Sequence, residues 1–119
     1  MALQLIDLKN EVSYIDVSPE NVPYTFLVRL TDRTFTFTIK YNAEGGLFTA
    51  DLFSLDGEVL AFGDPIRYGR ALFNSIEDER FPLPVIIPQS ISGDDISEIT
   101  ESNFGRAVRL YLHERRVEQ

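Results

Sequence analysis

At 119 residues the chain has room for one domain and not for two ordinary ones. It is 44% hydrophobic and 25% charged, the profile of a globular protein, and it contains no Cys, which excludes a disulfide framework and any thiolate metal site. The formal net charge of −8 argues against a nucleic-acid partner, because phosphates repel such a surface unless basic residues are segregated on it.

The first stretch, MALQLIDLKNEV, lacks the basic segment followed by an apolar core that marks a secretory signal. No apolar run approaches the roughly 20 residues a membrane helix needs. The expectation is a protein made and folded in a cytoplasm, with no membrane partner. Leu3, Leu5 and either Ile6 or Leu8 suit a short strand, or an arm that orders only against a partner. Val12 to Val17 alternates and reads as a strand. Residues 18–23 form a loop, since Pro19 and Pro23 cannot donate to a ladder and restrict the residue before them.

Tyr24 to Phe62 carries the strongest signal. Four apolar-alternating runs are separated by short polar connections: YTFLVRL, TFTFTIKYN, LFTADLFS and EVLAF. Period-two alternation places Tyr24, Phe26, Val28 and Leu30 on one face of the first run. In the second, Phe35, Phe37, Ile39 and Tyr41 oppose Thr34, Thr36, Thr38 and Lys40. In the third, Phe48, Ala50 and Leu52 oppose Leu47, Thr49, Asp51 and Phe53. β-Branched and aromatic residues suit such half-buried pleated surfaces. Asp56-Gly57 predicts a hairpin with a primed turn. Residues 42–46 make a longer loop, and Thr31-Asp32-Arg33 a third connection. The pattern predicts a four-stranded antiparallel meander.

Gly63-Asp64-Pro65 then predicts a turn, and Arg70 to Ile76 one or two helical turns docked on the sheet, with Leu72, Phe73 and Ile76 inward. Leu83 to Ile87, bracketed by Pro82, Pro84 and Pro88, reads as an edge strand, where a missing N–H does no harm. Residues 89–103 are the least ordered in character, although Ile91, Ile96 and Ile99 argue against full disorder. A loop of this length in a small domain suggests a functional or partner contact. Arg106 to His113 alternates and closes the fold, beside the meander or against the strand near Leu83. The fold class expected is all-β: a small antiparallel β-barrel or two-layer sandwich of about six to eight strands with at most one short helix. The organisation expected is an N-terminal arm or short strand over residues 1–13, a single β domain over 14–115 and a tail over 116–119.

No catalytic, cofactor-binding or metal site is expected. His113 is the sole histidine; no serine sits in a Gly-x-Ser-x-Gly elbow, and no second His or Cys accompanies it. It reads as a half-exposed strand residue. Asp94, Asp95 and Glu98 lack the spacing of a calcium loop and read as solvated acids. Gly45-Gly46 and Gly63/Gly69 lack the Lys and Ser/Thr of a phosphate loop. Phe35, Phe37 and Tyr41 alternate with threonines rather than with Lys or Arg, so they read as core and not as a base-stacking platform. Arg106, Arg109, Arg115 and Arg116 cluster, and read as balancing the acids between Asp94 and Glu101.

One resemblance bears on function. FTFTIKYN with its terminal Tyr41-Asn42, then LFTADLFSLDGEVLAFGDPI, the Gly-Arg-Ala-Leu-Phe segment at 69–73, and Asn103-Phe104-Gly105 leading into AVRLYLHE follow an order of signals similar to a phage tail family. The chain resembles the cyanophage-type baseplate plug proteins and their prophage relatives over about residues 20 to 114. Phe104 stands where that family usually has Leu. The resemblance implies a non-enzymatic structural protein of a phage, tailocin or prophage tail baseplate, without cofactor, located in the virion tail after synthesis in the bacterial host. It implies repeated copies around the central hub, as a plug or ring, with hub, tube or spike proteins as partners. Residues 1–13 and 89–105 are the expected contact segments. Two rivals are a small-molecule or carbohydrate-binding barrel with Tyr68, Tyr111 or Phe53 at its mouth, and a minor enzyme or nucleic-acid binder.

Overall fold

In a computed structural model, the structure describes residues 3–5, 13–30, 33–73, 80–82, 85–91 and 95–113. Eight strands form among them: β1 (Leu3–Leu5), β2 (Ser13–Ile15), β3 (Tyr24–Leu30), β4 (Arg33–Asn42), β5 (Leu47–Ser54), β6 (Val59–Pro65), β7 (Val85–Gln89) and β8 (Arg109–His113). A single 3-10 turn, Pro19–Asn21, lies between β2 and β3. The strands make two sheets, ordered β1-β3-β4-β5-β6 and β2-β8-β7. All pairings are antiparallel except that of β1, which lies parallel to β3 with Leu3 beside Leu27.

The expected meander is β3 to β6, and its alternation sets its burial. Phe26, Val28 and Leu30 on β3, Phe35, Phe37 and Ile39 on β4, and Phe48, Ala50 and Leu52 on β5 all point into one core. The second sheet covers that core with Ile15, Ile86, Leu110 and Leu112. The fold is therefore a two-layer sandwich; the sheets do not close into a barrel. On the outer face of the large sheet Thr25 and Thr38 stand opposite each other with their hydroxyls 2.9 Å apart.

Two strands differ from expectation in their bounds, β7 running through Pro88 to Gln89 and β8 beginning at Arg109 rather than Arg106, and three other local readings differ in kind. Residues 63–65 do not turn the chain; they continue β6. Gly63 at φ +71 absorbs an irregularity in the β5–β6 register between Ala50 and Leu52, so the chain bulges and then resumes pairing at Asp64 and Pro65. At the Asp56-Gly57 hairpin only Gly57 takes positive φ, whereas a type I′ turn needs it at both central residues. The connection is the longer Leu55–Glu58, closed by the Gly57 N–H on the Ser54 carbonyl at 2.9 Å. The described part of the expected helix, Arg70–Phe73, is not helical. The Leu72 N–H donates to the Ile86 carbonyl and the Phe73 N–H to Asp64 Oδ2, so these donors are spent on the sheets. The Thr31-Asp32 turn, Asn74 to Glu79, Leu83, Pro84 and Asp94 lie outside the described residues.

The segment before β8 is anchored. Asn103 Oδ1 accepts the Thr100 N–H at 2.8 Å, its Nδ2 donates to the Glu98 carbonyl at 3.1 Å, and its carbonyl accepts the Val108 N–H at 3.0 Å. This ties off a loop that drives Phe104 into the core with no exposure, against Phe48 at 4.7 Å. Gly105 follows at φ +82, where a Cβ would come within 2.5 Å of the Val17 carbonyl oxygen. The loop therefore needs glycine there for both conformation and close approach.

Tyr24 supplies a pH handle. Its ring stacks on Phe26 at 5.3 Å, and its hydroxyl accepts the Ser18 N–H at 2.7 Å. Burial raises the hydroxyl's pKa above its ordinary 10.0, outweighing the Ser18 hydrogen bond, and the Asp16 and Glu20 carboxylates push the same way. Above pH 10 the unfolded chain thus loses this proton before the folded one does, and stability falls as pH rises from there. Denaturant midpoints at pH 8 and above pH 10 should drop further for the native chain than for Tyr24→Phe. Equal drops would show that Tyr24 is not the group responsible.

Candidate functional site

The residues that sequence reasoning weighed for chemistry do not converge. His113 ends β8, exposed, with Nε2 2.6 Å from Gln89 Oε1. Asp95 and Glu98 are exposed, and no group of three potential metal ligands occurs among the described residues. Arg109 lays its guanidinium over the Tyr14 ring at 4.4 Å and donates from Nε to the Arg106 carbonyl, while Arg115 and Arg116 lie outside the described residues. Phe35 and Phe37 are core, as read; Tyr41 is 38% exposed.

The rival barrel mouth is not formed. Phe53 alternates with the buried Leu52 and so faces out of the large sheet. Tyr111, between Leu110 and Leu112 of the core, faces out of the small one, edge-on to Tyr14 at 5.7 Å. The two rings thus stand on opposite outer faces. Tyr68 Oη accepts the Ser90 N–H at 3.0 Å and ties down the end of β7. An open cleft of about 440 Å³ lies between Arg33, Thr34, Phe35, Ser54, Leu55, Asp56, Glu58 and Arg80. Its charges are of both signs: Arg80 pairs with Glu58 at 2.7 Å, and Arg33 donates to the Phe81 carbonyl at 2.6 Å.

What the structure does assemble is a pair of contrasting surfaces. One is the β6 edge. Phe62 there is 70% exposed, Val59 56% and the adjoining Leu55 62%. Lys40 Nζ sits 4.0 Å above the Phe62 ring and 2.9 Å from Asp51 Oδ2, and Asp51 Oδ1 accepts the Gly63 N–H at 2.7 Å. The Asp51 side chain is 3% exposed although it points away from the core, because Lys40 and the Gly63 bulge enclose it. Sequence reasoning placed Asp51 on the outer face and missed this enclosure. It also read Phe62 as an ordinary strand residue. The other surface is the acidic segment with exposed Asp95, Glu98 and Glu101, none of which takes part in the three ion pairs found among the described residues.

Two broad outer faces, polar clusters that fix backbone, and exposed apolar residues on a sheet edge are features of a protein that works by contact. No curated protein and no solved structure matches the chain. Residues 12–115 match the family model described as cyanophage baseplate Pam3 plug gp18, and the chain belongs to that family of baseplate plug proteins.

Proposed function

We propose that this chain is a non-catalytic structural subunit of a phage or phage-like tail baseplate, assembling around the central hub as a plug or ring subunit through protein–protein contacts. The observation that carries the reading is the family match across residues 12–115. The exposed apolar edge and the exposed acidic segment are consistent with it. On this reading the partners are hub, tube or spike proteins, and the protein, made in the bacterial host cytoplasm, ends in the virion tail. Residues 1–13 act as an arm or short strand on a β domain spanning 14–115, with a tail over 116–119. The arm and residues 89–105 touch partners.

Mass spectrometry of particles purified after prophage induction in the host tests this. The chain should co-purify with tail-hub and tube proteins at a fixed ratio. Tails that assemble without it would overturn the reading. Deleting residues 1–12 should leave the fold intact while reducing incorporation, because β1 adds only three residue pairs to the edge of the large sheet. A deletion that unfolds the chain would count against the arm.

A further inference from the structure

Edge strands in natural proteins are kept apart by charge, most often by an inward or outward Lys, because a bare edge recruits another strand. β6 is an edge of the large sheet among the described residues, yet it does the reverse. Each charged side chain on its length or packed against it is neutralised from within the same molecule. Asp64 faces Arg70 at 3.7 Å, Lys40 is bonded to Asp51 at 2.9 Å, and Glu58, which precedes the strand, is bonded to Arg80 at 2.7 Å. These are the three ion pairs found among the described residues, and all three border this one strand. Between them stand Val59 and Phe62. Phe53 lies opposite Val59 on the neighbouring strand, while Lys40 lies over the Phe62 ring, so both side chains share the outer face.

The charge pattern selects the occupant. Two copies of a chain carrying −8 repel each other over most approaches. They meet at least cost where charge is already cancelled and apolar area is available. A basic partner, by contrast, gains nothing at a neutralised edge and is drawn to the exposed acids Asp95, Glu98 and Glu101. We infer that the β6 edge is the contact between copies of this chain, with Phe62 as its anchor and strand addition as its mode. The inference rests on the reading above only for its setting; it names the surface by which copies would join in the plug or ring.

Sedimentation equilibrium of the full chain over a range of concentrations, for the native protein and for Phe62→Glu, decides it. The native chain should self-associate reversibly. Phe62→Glu should weaken association by about thirty-fold or more, the scale of a buried aromatic anchor. Its thermal midpoint should stay close to native, because the ring is 70% exposed in the single copy. Val59→Lys, on the same face, should act in the same direction. A native chain that stays monomeric at every concentration overturns the inference, as does a Phe62→Glu chain that associates as tightly as the native one. Incorporation into tail particles separates the two readings. A chain that is monomeric in solution yet present in particles removes this contact and leaves the baseplate role. A chain that associates through Phe62 yet is absent from particles does the opposite.

Discussion

Phe37→Ala should cost about 3–5 kcal/mol, the range for removing a fully buried Phe and leaving a cavity behind. Phe37 is unexposed at the centre of β4, the middle strand of the large sheet. Its ring stacks on Phe26 at 5.7 Å and tilts against Phe73 at 6.2 Å. Phe26 in turn stacks on Tyr24 at 5.3 Å, and Phe73 meets Phe81 at 5.9 Å. Removing the middle ring thus interrupts an aromatic row running from β3 to the segment before β7. Neighbours on a sheet cannot collapse into the gap without breaking register, so most of the cavity persists. In a domain of this size the melting temperature should fall by roughly 10–20 °C. Phe62→Ala removes the same atoms from an exposed site and should cost under about 1 kcal/mol, most of it the Lys40 contact. Denaturant unfolding of the two variants checks the pair. Similar losses at both positions would mean that the core is not where the burial pattern puts it.

The second large effect is an asymmetry between the partners of one ion pair. Lys40 is a third exposed and Asp51 is 3% exposed. Lys40→Met leaves a buried carboxylate without its cation. The loss should lie toward the lower end of the roughly 3–5 kcal/mol seen when one partner of a buried pair is removed, because the Gly63 N–H still donates to it. Asp51→Asn leaves an ammonium that can turn to water and keeps an acceptor for Gly63, so it should cost only about 1 kcal/mol. Chemical denaturation of both variants at neutral pH reads the order. If Asp51→Asn proves the worse, the carboxylate is hydrated and the enclosure drawn by Lys40 and Gly63 is wrong.

Much of the large sheet was legible because its information is local. Alternation at Phe35, Phe37 and Ile39 against Thr34, Thr36 and Thr38 specifies a strand and its inward face, and Gly-containing connections specify antiparallel neighbours. β7 was legible as an edge strand through Pro88, and β2 and β8 through their alternation. Their mutual arrangement was not, because nothing in residues 13–15 or 109–113 encodes that β8 lies between β2 and β7. That follows only once the inner face of the meander needs covering. Gly63 misled for a related reason: glycine before Asp-Pro signals a turn, yet within a sheet the same backbone freedom makes a bulge. The exposed Phe62 was invisible in sequence because the bulge decides which way it points. Asp51 sat on the predicted face, but its enclosure depends on Lys40 and Gly63, far from it in sequence.

The topology also orders events in time. The meander needs only three short connections between residues 24 and 65, so its loop-closure cost is small and it can pair as soon as that stretch is free. The small sheet joins residues 13–15 to residues 109–113, and its central strand is the last of the eight to be synthesised. From residue 65 to residue 113 is 48 residues (113 − 65). At bacterial elongation rates that is roughly 2–10 s before the second layer over the inner face of the meander, with Phe26, Phe37 and Phe48, can be complete. A nascent chain therefore keeps its apolar sheet face only partly covered for seconds, and the strand that completes the cover is β8.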